Sequence, residues 1–338
     1  MSMEHKTLHT NSIDEKFSLY RERIDEFLSH SHECAVPAVL YDPMAYILSA
    51  GGKRLRPIIT MLACESIGGI GLSAAGCGAA LEILHNFTLV HDDIMDKSPL
   101  RRGRETVHVK WDEASAILSG DVMMGIAYRL LINEVKDSPR ALEILSKFTQ
   151  GLIDVCEGQA QDLEFQQTPI VSMEEYLSMI EMKTARLIEL SAIIGALFAN
   201  ANEQQINALH SYAYHLGIAF QVQDDVLDLL ADNKEFGKII GQDLLEGKKS
   251  YFIVRAFECI KDGPDALFIK TYIQNKGISK EQIPVAIDIF RRHGIIDDAV
   301  QMVLSHVHAA QSALSMLPMN EGTIGLELIA DKMAVRTM

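Results

Sequence analysis

Apolar residues along this chain recur at intervals of three and four, the spacing that places side chains on one face of an α-helix. Leu187, Leu190, Ile194, Leu197 and Phe198 form one such stripe, and Leu216, Phe220, Leu227 and Leu230 form another. Strict alternation is nowhere sustained over a strand length. The punctuation agrees. Ser172-Met-Glu-Glu175 follows Pro169 and reads as a capping box opening a long helix, and Ser279-Lys-Glu-Gln282 reads as a second box. Gly51-Gly52, Asp137-Ser-Pro139 and Asp262-Gly-Pro264 read as breaks between helices. No repeat, low-complexity tract or polar linker interrupts the pattern. It predicts an all-α fold of roughly a dozen helices packed as hairpins around a central cavity. A length of 338 residues has room for two domains, but without a linker residues 1–338 read as one, with about 1–12 as an N-terminal tail.

Composition narrows the class. Apolar residues make up 48% and charged residues 23%, which supports a sizeable core and rules out a disordered chain or a stapled mini-protein. Lys plus Arg number 31 against 46 Asp plus Glu, a net charge of −15. That balance argues against nucleic acid or anionic lipid as partner. It leaves room for an anionic substrate where metal ions or a local basic cluster intervene. The 5 cysteines are odd in number and none are at CxxC spacing, as expected of thiols in a reducing compartment. The N-terminus has no apolar core of a signal peptide. The longest apolar stretches, Leu190–Ala199 and the glycine-broken Ile67–Leu81, fall short of the roughly 18 residues of a membrane span. The sequence therefore reads as a cytoplasmic protein without a transmembrane segment.

Two segments carry the chemistry. Asp92-Asp93-Ile-Met-Asp96 ends an apolar helix that starts near Ala74, and Asp224-Asp225-Val-Leu-Asp228 lies within or ends another. Each is DDxxD, so its first and last carboxylates, four apart, share a helix face. Carboxylates so clustered repel one another unless cations hold them. Hard oxygen donors without Cys or His pairs favour Mg²⁺, which bridges carboxylates and substrate phosphates. A solvated acidic face would not need flanks as apolar as Phe87-Thr-Leu-Val90 and Val226-Leu-Asp-Leu-Leu230. The basic counterpart is Gly51-Gly52-Lys53-Arg54-Leu55-Arg56-Pro57, before a helix whose first residue would be Pro57. A second basic segment, Pro99-Leu-Arg101-Arg102-Gly103-Arg104, follows the first acidic motif. Exposed backbone N–H groups and guanidinium forks both suit phosphate.

These motifs, in this order, resemble the trans-isoprenyl diphosphate synthases, and most closely the short-chain, geranylgeranyl-type branch. GGKRLRP at 51–57, EILHNFTLVHDDIMDKSPLRRG at 82–103, Lys183-Thr184, FQVQDDVLD at 220–228, Gly237-Lys238 and GQDLLEGKKS at 241–250 carry the resemblance. It implies the isoprenoid synthase fold and a homodimer. It also implies a reaction in which an allylic diphosphate (C5, C10 or C15) ionises, the double bond of isopentenyl diphosphate attacks the cation, and a proton leaves. The resemblance assigns Asp92, Asp96 and Asp224 to as many as three Mg²⁺ ions, with Asp93, Asp225 and Asp228 in support and Asp228 reaching metal through water. Arg101, Lys183 and Lys238, with Lys248 nearby, would contact the allylic diphosphate. Lys53, Arg56, His85 and Arg102 would hold that of isopentenyl diphosphate. Thr184 and Gln221 would turn oxygen dipoles toward the cation. His91 reads as structural. Phe87, five residues before Asp92 and so about 7.5 Å along the axis, with the small Thr88 beside it, resembles the floor of a synthase that stops at C20. The alternatives are C15 or a longer product. A terpene cyclase would not need GGKRLRP, a metal phosphohydrolase would need more grouped histidines, and a non-catalytic subunit would typically have lost an aspartate motif.

Overall fold

The computed structural model describes residues 3–31, 36–230 and 240–335. In chain order these form α1 (Met3–His30), α2 (Ala38–Leu48), α3 (Leu55–Ser66) and α4 (Ala75–Met95). A two-residue ladder follows, β1 (Leu100–Arg101) and β2 (Arg104–Glu105), and then α5 (Val107–Lys110), α6 (Glu113–Val135) and α7 (Ala141–Phe165). Next come α8 (Met173–Ile180), α9 (Arg186–Phe198) and α10 (Glu203–Leu230). The remainder is α11 (Gln242–Glu246), α12 (Tyr251–Cys259), α13 (Gly263–Asn275), α14 (Ile283–Arg292), α15 (Ile295–Leu314) and α16 (Glu321–Val335). Helix α1 begins at Met3, inside the segment read as a tail. The chain gathers into two compact units, each drawn from separate stretches of sequence: Met1–Gln150, Leu190–His210 and Ser315–Glu327 in one, and Gly151–Glu189, Ser211–Leu314 and Leu328–Met338 in the other.

The first unit is built on α4. From Ala75 to Leu84 every residue is buried, as expected where a helix is apolar on every face, the one polar exception being Glu82, which pairs with Arg54. Neighbours approach it closely: a Cβ at Gly78 would meet Pro57 of α3 at 3.0 Å. Ile13, Phe17, Tyr20, Ile24 and Leu28 give α1 a buried stripe at helical spacing. Helix α3 starts at Leu55, two residues before the proline read as its first, because Arg54 serves as the N-cap. Helix α6 bears on the membrane-span expectation without overturning it. Among the described residues it is the one helix long and apolar enough to cross a membrane, with 44% of its apolar window buried. Asp121 and Arg129 punctuate it, so it does not stand out in the sequence as an apolar run.

The second unit shows both capping boxes. Ser172 and Glu175 exchange side-chain and backbone hydrogen bonds ahead of α8, and Ser279 and Gln282 do the same ahead of the short turn that leads into α14. The helix opened by Ser172 is interrupted. Glu181–Ala185 form a π-helical turn before α9 resumes. Phe252 of α12 stacks on Phe290 of α14 at 5.4 Å, and Ile295, Ala299, Val303, Val307 and Ala310 give α15 a continuous buried stripe.

Candidate active site

Both acidic motifs lie near the C-terminal ends of their helices. The helix dipole is negative there, so carboxylates at such positions are unfavourable until a cation joins them. Asp92 stands in the last turn of α4 and Asp96 is its C-cap, and both are half-exposed. They continue a line with the half-exposed His85, Thr88 and Leu89. Asp93 turns the other way. It is 1% exposed and its Oδ1 accepts from Arg101 Nε at 2.7 Å, while Oδ2 has no partner. Burial raises its pKa.

The basic residues split in the same manner. Arg54 points inward at φ +49°, donating to Asp25 and Glu82 and to the Leu48 carbonyl, each at 2.9 Å. Lys53 is exposed. Arg56 Nη1 lies 3.2 Å from His85 Nε2. A guanidinium only donates, so Nε2 is the acceptor and the ring proton sits on Nδ1. Burial, and then the charges of Arg56 and Arg102, hold the His85 pKa well below its usual value, so the ring is neutral. Burial also lowers Arg56, to about 10, and Arg102. Arg102 Nη1 donates to the Gly51 carbonyl and packs on Gly52, where a Cβ would meet that nitrogen at 2.9 Å and φ is +146°. Only glycine fits there. The hairpin guanidinium and the GGKRLRP loop thus form one cationic cluster, whose mutual repulsion a bound anion relieves. Phe87 is buried edge-on to His91 at 4.8 Å, and the Thr88 hydroxyl donates to the His85 carbonyl. His91 Nε2–H donates to the Ile117 carbonyl at 3.2 Å.

In the second unit Asp224 is exposed, on the half-open face that it shares with Phe220 and Leu227. Asp225 is buried and saturated. Its Oδ2 accepts from the Tyr176 hydroxyl and the Tyr251 N–H, both at 2.8 Å, and Oδ1 accepts from Gln221 Nε2 at 3.1 Å. Burial, and then the Asp243 charge, push its pKa up to about 7. These bonds fix the Gln221 amide, whose Oε1 accepts from the Thr184 hydroxyl at 2.8 Å. Asp228 braces the chain beyond: its Oδ2 accepts the Asp243 N–H at 3.1 Å and its carbonyl the Gly241 N–H at 2.8 Å. Lys248 pairs with Glu246 at 3.1 Å and approaches Asp243 at 3.5 Å. Lys238 lies outside the described residues.

Sequence reasoning missed Asp162 of α7, which pairs with Lys183. It also missed the π turn that carries Lys183 and Thr184. Gly158 was the available signal, a glycine inside an amphipathic helix. A Cβ there would meet the Lys183 backbone nitrogen at 2.4 Å, so α7 can lie against the π turn only with glycine. Tyr176 and Tyr251, the anchors of Asp225, left no such signal.

Known proteins resemble this chain in sequence and in fold. The profile of the polyprenyl synthetase family matches residues 37–290. A short chain isoprenyl diphosphate synthase of Methanothermobacter thermautotrophicus is 38% identical over 312 residues, 92% of this chain and 95% of that protein. A geranylgeranyl diphosphate synthase of Sulfolobus acidocaldarius is 40% identical over 258 residues, 76% of this chain and 78% of that one. The crystal structure of geranylgeranyl pyrophosphate synthetase from Pyrococcus horikoshii matches with a TM-score of 0.86 at 36% identity, covering 98% of this chain and 99% of that one. The chain belongs to the polyprenyl synthetase family.

It therefore has the isoprenoid synthase fold and is a trans-prenyltransferase. The donor set of this polyprenyl synthetase suits Mg²⁺. Its outward carboxylates, Asp92, Asp96 and Asp224, are hard oxygen donors on half-open or exposed helix faces. Among the described residues no three His, Cys, Asp or Glu side chains converge closely enough to chelate a metal by themselves.

Proposed function

We propose that this prenyltransferase condenses isopentenyl diphosphate with an allylic diphosphate, dependent on Mg²⁺, and that its main product is geranylgeranyl diphosphate (C20). One observation carries the reading. Near the C-terminal ends of two helices the outward aspartates share half-open or exposed positions with apolar residues, Leu89 with Asp92 and Asp96 on one, and Phe220 and Leu227 with Asp224 on the other. A hydrocarbon chain ending in a metal-bound diphosphate has the same sequence of chemistries.

Asp92 and Asp96 from one motif, and Asp224 and Asp228 from the other, are the residues we assign to Mg²⁺. When bound, the ions neutralise charge developing on the departing diphosphate. Arg101, Lys183, Lys238 and Lys248 serve the allylic diphosphate, and Lys53, Arg56, His85 and Arg102 that of isopentenyl diphosphate. Neutral His85 donates through Nδ1 rather than adding charge. Thr184 and Gln221 place two hydroxyl or amide oxygens 2.8 Å apart, where they face developing positive charge. Phe87 and Thr88 limit chain length. The homodimer reading is supported by Ile117, Leu118 and Ile132, large apolar side chains exposed on α6. A second copy would cover them. A cytoplasmic location is part of the same reading, in keeping with 5 cysteines of which none are at CxxC spacing.

The test is a product assay. The purified chain receives isopentenyl diphosphate, each of the C5, C10 and C15 primers, and Mg²⁺, and products are sized by mass spectrometry. A C20 product abolished by EDTA is expected. A C15 or longer main product would overturn the length assignment alone, and no product from any primer would overturn the enzymatic reading.

A further inference from the structure

The hairpin that carries Arg101 and Arg102 is too small to hold its own shape. Its strands are two residues each, paired Leu100 to Glu105 and Arg101 to Arg104. Both turn residues have positive φ, +53° at Arg102 and +74° at Gly103. An isolated two-stranded ribbon is marginal in water, and a non-glycine residue at positive φ adds strain. The anchors supplied by Arg101 to Asp93 and Arg102 to Gly51 use the side chains that a diphosphate would engage. A bound anion competes with both, so the hairpin needs an anchor elsewhere.

Tyr46 of α2 supplies one. Its hydroxyl donates to the Glu105 carbonyl at 3.0 Å, the far end of β2. Its ring takes the Arg104 guanidinium 4.1 Å from the centroid and the Lys110 ammonium at 3.8 Å. Trp111 backs the ring edge-on at 5.2 Å. Arg104 lies opposite Arg101 in the ladder, so fixing one sets the other. The choice of an aromatic ring matters. A carboxylate in its place would also draw Arg101 and Arg102, whereas a ring quadrupole holds two cations without adding an anion that competes with phosphate.

We infer that Tyr46 is a positioning residue: it holds β2 through Arg104, Lys110 and Glu105, so that Arg101 and Arg102 stand ready for diphosphate before substrate arrives. This inference rests on the diphosphate reading above. Steady-state kinetics of the whole chain with Mg²⁺, alongside thermal unfolding, test it. Tyr46→Leu should raise KM for the diphosphate substrates about tenfold, with kcat held within about twofold, the size expected of two part-exposed cation–π contacts. Tyr46→Phe keeps the ring and should recover most of the loss. Arg104→Met, at a half-exposed site, should raise KM several-fold with the melting temperature unchanged. Wild-type KM in both Tyr46→Leu and Arg104→Met would overturn the inference, and if Tyr46→Leu does not fold, wild-type KM in Arg104→Met alone overturns it. A wild-type chain that transfers no prenyl group would overturn the functional reading instead. Titration with inorganic pyrophosphate would then decide on Tyr46, since equal affinity in wild type and Arg104→Met also overturns it.

Discussion

Arg54 sits in the GGKRLRP segment between Lys53 and Arg56, two residues proposed to hold diphosphate, yet the structure gives it a different task. It is 4% exposed and donates to Asp25, Glu82 and the Leu48 carbonyl. Replacing it with leucine removes the partner of Glu82, a carboxylate only 3% exposed and held in the middle of α4. Leaving a buried charge without its partner costs about 3–5 kcal/mol. The orphaned Leu48 carbonyl falls within the same deficit, and Asp25, at 57% side-chain exposure, adds little. A loss of about 4 kcal/mol is a large part of the ~5–15 kcal/mol that keeps a domain folded. Substituting both partners should recover most of it, because an apolar pair of similar volume replaces a buried ion pair at little or no cost. Trp111 is the single tryptophan and lies in the same unit, so its fluorescence reports the relevant transition. Urea unfolding of wild type, Arg54→Leu and Arg54→Leu/Glu82→Leu measures the three stabilities. A single variant within about 1 kcal/mol of wild type, or a double variant no better than the single, would refute the assignment.

Asp224→Ala should cut turnover by several orders of magnitude with little change in melting temperature, whereas Asp225→Ala should lower both, because it strands the Tyr176 hydroxyl and the Tyr251 N–H. Turnover and thermal unfolding on the same preparations check this, and an Asp224→Ala enzyme near wild-type rate would undo the metal assignment. Phe87→Ala should lengthen the product, since the next side chain one turn down α4 is about 5.4 Å deeper; mass spectrometry showing an unchanged C20 product would move the floor elsewhere. His215 and His306 face each other Nδ1 to Nδ1 at 3.0 Å, and burial, then His215, lowers His306 to about 4. The unfolded chain takes up that proton below about 6.5 while the folded one resists until about 4, so this contribution to stability is complete above 6.5 and is lost as the pH falls between those values. Melting temperatures across pH 4–7 should therefore fall more steeply for wild type than for His306→Leu, and parallel curves would count against the neutral pair.

Much of the site could be read in the chain because its chemistry depends on residues close in sequence. Asp92 and Asp96 share a face by helical spacing, and Ser172 and Ser279 announce helix starts within three residues. Spacing could not show which aspartates turn inward. Asp93 and Asp225 have the same local sequence as their neighbours, and Arg101, Tyr176 and Tyr251 select them from 8, 49 and 26 residues away. Arg54 is parted from Lys53 and Arg56 for the same reason, by Glu82 and Asp25. The small ladder at 100–105 also escaped the helical pattern, because two residues per strand carry no period.

The sequence by itself determined the helical class, the two carboxylate motifs and the basic segments that suit diphosphate, since each rests on periods and spacings of a few residues. Only the tertiary structure decided which charges are buried as braces and which stand outward on half-open or exposed faces. It also decided how the Thr184 hydroxyl meets the Gln221 amide across 37 residues. Burial and long-range partners set the energy of a charge, and neither is written in its neighbours along the chain.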